Sequence, residues 1–418
     1  MKIYAASHLL PVSSPPLEGG ALAVADGKIA AVGRLSELTA FFNAPVEEFP
    51  GCCIMPGMVN SHSHLELTHF PAWKIRKGID YAPRTYIDWM IQVIKIRRSL
   101  TRNELEQSIL EGIRISLESG TTTIGEIVSA PWLMNCYRLS PMAGRAYLEA
   151  IGQDPLRCAE LLALLDDAVS EFDGAGLLPG ISPHAVHTLS AGLFEGLLNL
   201  ADRHHVPLAI HLAESRAELD FMFDSSGPIA EKLYPFVGWD SYLPTPRRTT
   251  PVAYLDSIGV LRPGTVAVHC VHLTPADAET LKRRGVAVVL CPRSNDRLDV
   301  GRAPVRLLKK SGIPLSLGTD SLASNDSLSL LDEARFLLES FPEDFTPAEA
   351  LRMVTLSGAE ILGLDSMAGA LEPGKRADFL VVSLPEDLVA RDVTATVITA
   401  GKLLDVFITG CRQTMAGV

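Results

Sequence analysis

Short apolar runs punctuate this chain, and eight of them break into polar residues at their C-terminal ends. The first, 53–60, runs into His62-Ser63-His64. The second covers 121–126, the third 144–149 and the fourth 178–184, ending on Glu126, Glu149 and His184. The fifth, 207–210, meets His211, with Glu214 three residues on. The sixth, 265–268, meets His269. The seventh is 286–291, and the eighth, 313–318, leads into Thr319-Asp320. Helical periodicity fills the gaps. Leu105, Ile109, Ile113 and Leu117 recur at a four-residue step, with Thr101 and Glu104 forming a capping box before them and Gly120 after. Thr346-Pro347-Ala348-Glu349 repeats that start signal. Eight βα units of this kind predict an α/β fold, a (β/α)8 TIM-like barrel whose chemistry collects at the C-terminal ends of the strands.

The two chain ends read differently, as short β patterns around turns. Residues 24–29 and 374–382 are examples. Both ends are expected to build one small β-sandwich domain, from residues 1–54 and 370–418, with the barrel (55–369) inserted between them.

Composition narrows the function. The chain has 418 residues, 47% hydrophobic and 21% charged, an ordinary globular balance with ample core. Its 37 basic against 49 acidic residues give a net charge of −12, which argues against nucleic acid as a partner. No run approaches a membrane span and no signal-peptide pattern opens the chain, so a cytoplasmic protein is expected. Seven cysteines in such a chain are expected to be reduced and mostly buried.

The strand ends carry the chemistry. Alternate strand residues face one way, so His62 and His64 project together and can chelate one ion. His211 and Asp320 each follow a strand of their own. Imidazole and carboxylate donors suit Zn²⁺, and also Fe²⁺ or Ni²⁺. The plain alternative is a set of satisfied core polar residues.

At this point the chain resembles the amidohydrolase superfamily. The residues 56–64 look like its strand-one signature. His211-Leu212-Ala213-Glu214, His269-Cys270-Val271-His272 and Gly318-Thr319-Asp320-Ser321 resemble strands five, six and eight of its deaminase and chlorohydrolase branch. Gly374-Lys375-Arg376-Ala377-Asp378 matches its entry to the C-terminal β segment. Binuclear members bridge two metals with a strand-four lysine, and this chain has no lysine between Lys95 and Lys232. The resemblance therefore implies one divalent metal ion, zinc or iron, held by His62, His64, His211 and Asp320. It also implies catalytic roles. His269 hydrogen-bonds the attacking water, and Asp320 helps take its proton. Glu214 protonates a ring nitrogen and then passes a proton to departing ammonia. Homodimers are common in the superfamily.

Substrate contacts are expected from His184, which resembles the branch's strand-four histidine, and from Glu66, two residues past His64. Glu126 and Arg145 are candidates for substrate or for ion pairs at the barrel mouth. The long segment 66–100 reads as a lid with Trp73, Lys74, Arg76, Lys77, Tyr81, Arg84, Tyr86 and Trp89. Its aromatics either stack on a ring or belong to the core. Its cations, with Arg293 after strand seven, either receive a carboxylate or form a solvated face. Residues 62–67 and 291–295 look most like the 6-amino-6-deoxyfutalosine deaminases of menaquinone biosynthesis, whose nucleoside carries a benzoate. Deaminases of S-adenosylhomocysteine, adenosine, guanine or cytosine and triazine chlorohydrolases are the alternatives within the branch. A non-catalytic metal or nucleoside binding protein is the alternative outside it.

Overall fold

The computed structural model describes residues 1–79, 82–385 and 392–413. Tyr81 of the expected lid lies outside the described residues.

The eight runs form two four-stranded parallel sheets. The first holds Met58–Ser63, Thr121–Val128, Ala143–Ala150 and Leu177–Pro183. The second holds Ala209–Leu212, Val266–His269, Ala287–Leu290 and Leu315–Leu317. Isolated parallel bridges meet at both seams: Ser63 with Asp320, and Ile181 with Leu208 and Ala185 with His211. Strands one and eight are also tied by Asn60, whose amide donates to Thr319 Oγ1 (2.8 Å) and whose side-chain oxygen accepts from Thr319 N (3.1 Å). The helix after Thr101 spans Arg102–Glu118, with both bonds of the capping box made and Leu105, Ile109, Ile113 and Leu117 buried.

The first run differs from expectation. It is two strands, Val46–Pro56 and Met58–Ser63, broken at Gly57. A Cβ on Gly57 would come within 2.1 Å of Thr122 Oγ1, so the chain turns there in space that only glycine leaves free. The chain ends do build a separate β unit, but as one mixed eight-stranded sheet where a two-sheet sandwich is expected. The reason is the length of Val46–Pro56. It pairs in parallel with Lys2–Leu9 and antiparallel with Phe379–Ser383, joining the two chain ends edge to edge. One face of this sheet carries a cluster built on its own Tyr4, Phe379 and Phe407; the other meets Leu38 of the helix Leu35–Phe41. All seven cysteines are free thiols. No helix among the described residues is long and apolar enough to cross a membrane.

Candidate active site

Four residues that follow or end the strands of the second sheet have left-handed backbone: Ala213 (φ +50°), His269 (+72°), Cys270 (+51°) and Asp320 (+59°). Non-glycine residues hold this conformation only when the surroundings impose it, and such residues concentrate at functional sites. Of these, His269 and Asp320 line the central cavity, as does Glu214 next to Ala213.

One donor atom each from His62, His64 and His211 lies within 4.8 Å of the others. His64 Nε2 is 3.3 Å from His211 Nε2. Asp320 Oδ1 is 3.7 Å from His62 Nε2 and 3.8 Å from His64 Nε2. The outer atoms are spoken for. Asp320 Oδ2 accepts from Ser294 (2.7 Å) and Ser324 (2.8 Å). His211 Nδ1 lies 3.0 Å from the His184 carbonyl, which fixes its proton there and leaves the Nε2 lone pair facing inward. Burial lowers the pKa of His62, and burial with neighbouring imidazoles drives those of His64 and His211 well below the ordinary value. Burial works against the charge on Asp320, yet the nearby His62 and the other imidazoles around it hold its carboxyl well below the ordinary range. The set is therefore three neutral imidazoles and one carboxylate. His62 Nε2 is fully buried and makes no hydrogen bond, an orphan that a cation would satisfy. These donors fit a divalent metal ion.

Beside this cluster, His269 Nδ1 is 2.9 Å from Asn295 Oδ1, so Nδ1 donates and Nε2 faces Glu214 Oε1 at 3.7 Å. Glu214 is buried, and burial raises its pKa against the opposing pull of His269 and a bond from Tyr86. A cavity of about 360 Å³ opens from here. His64, His211, Glu214, His269 and Asp320 line it, as do His184, Glu66 and Trp89. Thr188 holds His184 Nδ1 at 3.0 Å. Glu66 pairs with Arg97 at 3.2 Å, and the Trp89 indole donates to the Ala323 carbonyl at 2.9 Å.

Three candidates lie elsewhere. Glu126 accepts from Ser63 Oγ (2.5 Å), Leu65 N (2.8 Å) and Tyr137 Oη (2.7 Å) and does not line the cavity. It clamps the chain on both sides of His64. Arg145 sits near the start of its strand, and its guanidinium is committed to the carbonyls of Leu362 (3.1 Å) and Pro179 (2.6 Å). Arg293 is held by Asp326 and Asp332, outside the cavity. Two of the lid cations are likewise engaged elsewhere: Arg76 with Glu104 and Lys77 with the Ser99 carbonyl. Trp73 belongs to the core.

The structure adds residues that the sequence reading passes over. Arg97, Arg98, Arg157 and Glu149 line the cavity. Glu149 Oε1 is buried without a partner, and burial pushes its pKa up to about 8. The signal for Glu149 was present, since it ends the third apolar run.

A buried set of imidazoles and a carboxylate at the C-terminal ends of parallel strands, beside a buried glutamate with a raised pKa, has the chemistry of a metal-dependent hydrolase. The comparisons agree with that class. The Amidohydrolase family model matches residues 53–410, and the chain belongs to the amidohydrolase family, as a hydrolase acting on carbon–nitrogen bonds. The chain is 33% identical over 381 residues to a 5-methylthioadenosine/S-adenosylhomocysteine deaminase of Syntrophobacter fumaroxidans, covering 87% of this chain and 80% of that protein. It is 30% identical over 353 residues to an aminodeoxyfutalosine deaminase of Deinococcus radiodurans, covering 82% and 81%. Among solved structures, a zinc-bound adenosine deaminase from Xanthomonas campestris superposes with a TM-score of 0.80 at 26% identity, over 98% of this chain and 92% of that one. The Helicobacter pylori aminofutalosine deaminase with methylthio-coformycin gives 0.86 at 23% identity, over 99% and 100%, a likeness of fold.

Proposed function

We propose that this chain is a zinc-dependent hydrolytic deaminase of an aminated purine-type ring, with 6-amino-6-deoxyfutalosine as substrate. Water replaces the ring amino group with oxygen, and ammonia leaves. On this reading the two parallel sheets close as one (β/α)8 barrel, supported by the bridges at both seams. His62, His64, His211 and Asp320 hold the ion. A divalent ion in that set supplies Lewis acidity and makes water nucleophilic near neutral pH. His269, with Nδ1 turned to Asn295, presents Nε2 as an acceptor for the water's proton. Asp320 shares in that transfer through Oδ1. Glu214, whose pKa burial raises, delivers its proton to the ring nitrogen beside the reacting carbon. His184 and Glu149 supply polar contacts to the bound molecule.

The observation that supports the substrate is the helix Tyr86–Arg97, which lays one face along the cavity. Tyr86, Trp89, Met90, Val93, Ile94 and Arg97 all line it. The helix acts as a ruler. At 1.5 Å per residue, Arg98 stands about 18 Å from Tyr86 at the acid. Between them Trp89, Met90, Val93 and Ile94 give an apolar wall, Arg97 and Arg98 close the C-terminal end of the helix, and Arg157 adds a further cation to the cavity lining. An adenine ring, an apolar aromatic extension and a terminal carboxylate match that order. A second reading, deamination of S-adenosylhomocysteine or 5-methylthioadenosine, is favoured by the name of the Syntrophobacter relative.

The test is ammonia release by zinc-loaded protein from 6-amino-6-deoxyfutalosine, S-adenosylhomocysteine, 5-methylthioadenosine, adenosine, guanine and cytosine. Strong turnover of the first alone supports the reading. Preferred turnover of another member replaces the substrate and keeps the mechanism. Silence across the set with metal bound removes the deaminase reading.

A further inference from the structure

We propose that Tyr86 is a positioning residue for Glu214, delivered by the cavity-lining helix, so that the acid takes its working orientation only when that helix is seated. This rests on the reading of Glu214 as the general acid.

Glu214 is fixed at its backbone but not, by its own strand, at its carboxyl. Glu218 Oε1 and Oε2 accept from the amides of Ala213 (2.9 Å) and Glu214 (3.0 Å). The carboxyl itself has one hydrogen bond among the described residues: the Tyr86 hydroxyl donates to Oε2 at 2.6 Å. That leaves Oε1, facing His269 Nε2, as the oxygen that carries and transfers the proton. A bond this short to the unprotonated oxygen sets the rotation of the group.

Tyr86 comes from a remote part of the chain and is itself braced from several sides. It opens the helix Tyr86–Arg97, whose N-cap Thr85 accepts from Asp88 N at 3.2 Å. Its ring lies 5.6 Å from that of Trp89. Trp89 bonds the Ala323 carbonyl after strand eight. Both rings pack on Val271, Leu298 and Val300, which follow strands six and seven. The helix thus touches the segments after four successive strands, and the contact with Glu214 reaches the acid. The groups facing Glu214 are His269 and Asp320 from the second sheet, Tyr86 from the helix, and Glu218 on its own helix.

The sign of the electrostatic effect is defined. A hydroxyl donor favours the ionised carboxylate, so Tyr86 lowers the Glu214 pKa against burial. An acid must hold its proton to work, so activity falls as pH rises through that pKa. Tyr86→Phe removes the donor, and the alkaline limb of kcat should move to higher pH. At the same time kcat near neutrality should fall about tenfold from lost orientation, part of what a positioned acid supplies. A role in packing alone would lower kcat or raise KM with the limb unmoved. Trp89→Phe, which frees the helix from Ala323 without touching Glu214, should lower kcat in the same direction by less.

The experiment is the kcat and KM pH profile of zinc-loaded wild type, Tyr86→Phe and Trp89→Phe on whichever nucleoside turns over. It is paired with infrared titration of the Glu214 carboxyl, assigned by its loss in Glu214→Gln. A limb and a carboxyl titration both shifted upward in Tyr86→Phe support the proposal. Wild-type kcat with an unshifted limb overturns it. Absence of turnover in the wild type counts against the deaminase reading alone. The infrared titration then still decides whether Tyr86 governs Glu214, and an unmoved carboxyl overturns that.

Discussion

Replacing Glu126 by glutamine should weaken metal binding without touching a metal ligand. Glu126 accepts from Ser63 Oγ, Leu65 N and Tyr137 Oη, so it grips the residues on either side of His64. An amide keeps the shape but offers one acceptor oxygen and an NH₂ group. Leu65 and Tyr137 can keep the oxygen. Ser63 then meets an N–H in place of an oxygen and must turn its hydroxyl away. Losing one buried bond of this kind costs about 1–3 kcal/mol of stability. Partners that orient metal ligands from behind are worth roughly 10–100-fold in affinity, which is about 1.4–2.7 kcal/mol. Glu126→Ala strands all three donors and should cost about 3–9 kcal/mol before relaxation, enough to threaten the fold. Glutamine is therefore the informative change. Competition against a chromophoric chelator gives the zinc Kd of wild type and variant, and thermal unfolding of each reports stability. A zinc Kd in Glu126→Gln within threefold of wild type would refute the clamp. A rise in KM with zinc affinity unchanged would instead restore Glu126 as a substrate contact.

Glu214→Gln should lower kcat by roughly 10²–10⁴-fold while metal content by elemental analysis stays at the wild-type ratio; a non-catalytic binding protein would show no such loss. Arg98→Ala and Arg157→Ala should each raise KM about tenfold for a nucleoside ending in a carboxylate and leave adenosine unmoved, as expected for a lost charge-assisted bond. Glu149 is protonated in the folded protein up to about pH 8 but ionises near its ordinary 4.5 when unfolded. Unfolding then releases a proton between those values, so stability should fall as pH rises from about 5 to 8 and level off above. Thermal melts across that range check the slope, and Glu149→Gln should lower it by one proton's share, since Glu126, Glu218 and Glu333 are also pushed up to about 8.

The gathering of His62, His64, His211 and Asp320 at one place was legible because strand alternation and strand ends are one-dimensional signals. His62, His64, His211 and Asp320 each follow an apolar run, and the parallel sheets gather those ends. Depth along a strand was less well used. Arg145 and Glu149 lie on the same face of Ala143–Ala150, four residues and about 13 Å apart. Only Glu149 reaches the functional end. Glu126 was also placed short of its strand's end, since Ile127 and Val128 extend that strand. The partners that divert Arg293, Asp326 and Asp332, lie more than thirty residues away in sequence, and no local pattern announces them. The same holds for Tyr86. Its aromatic character was visible, but its partner is 128 positions along the chain.

The strand Val46–Pro56 has a further consequence for biogenesis. Its Cys52–Pro56 edge pairs with Phe379–Ser383, so the ribosome must add more than three hundred residues before that partner exists. At about 5–20 residues per second, the edge stays open for roughly 15 to 65 s of synthesis. An unpaired apolar strand is a template for pairing with a neighbouring nascent chain. Met58–Ser63, which carries His62, begins two residues after it. A chain that stalls or is clipped before Phe379 therefore leaves an adhesive edge next to the strand that carries His62, making the pairing of Phe379–Ser383 a quality checkpoint for the site as well as the sheet.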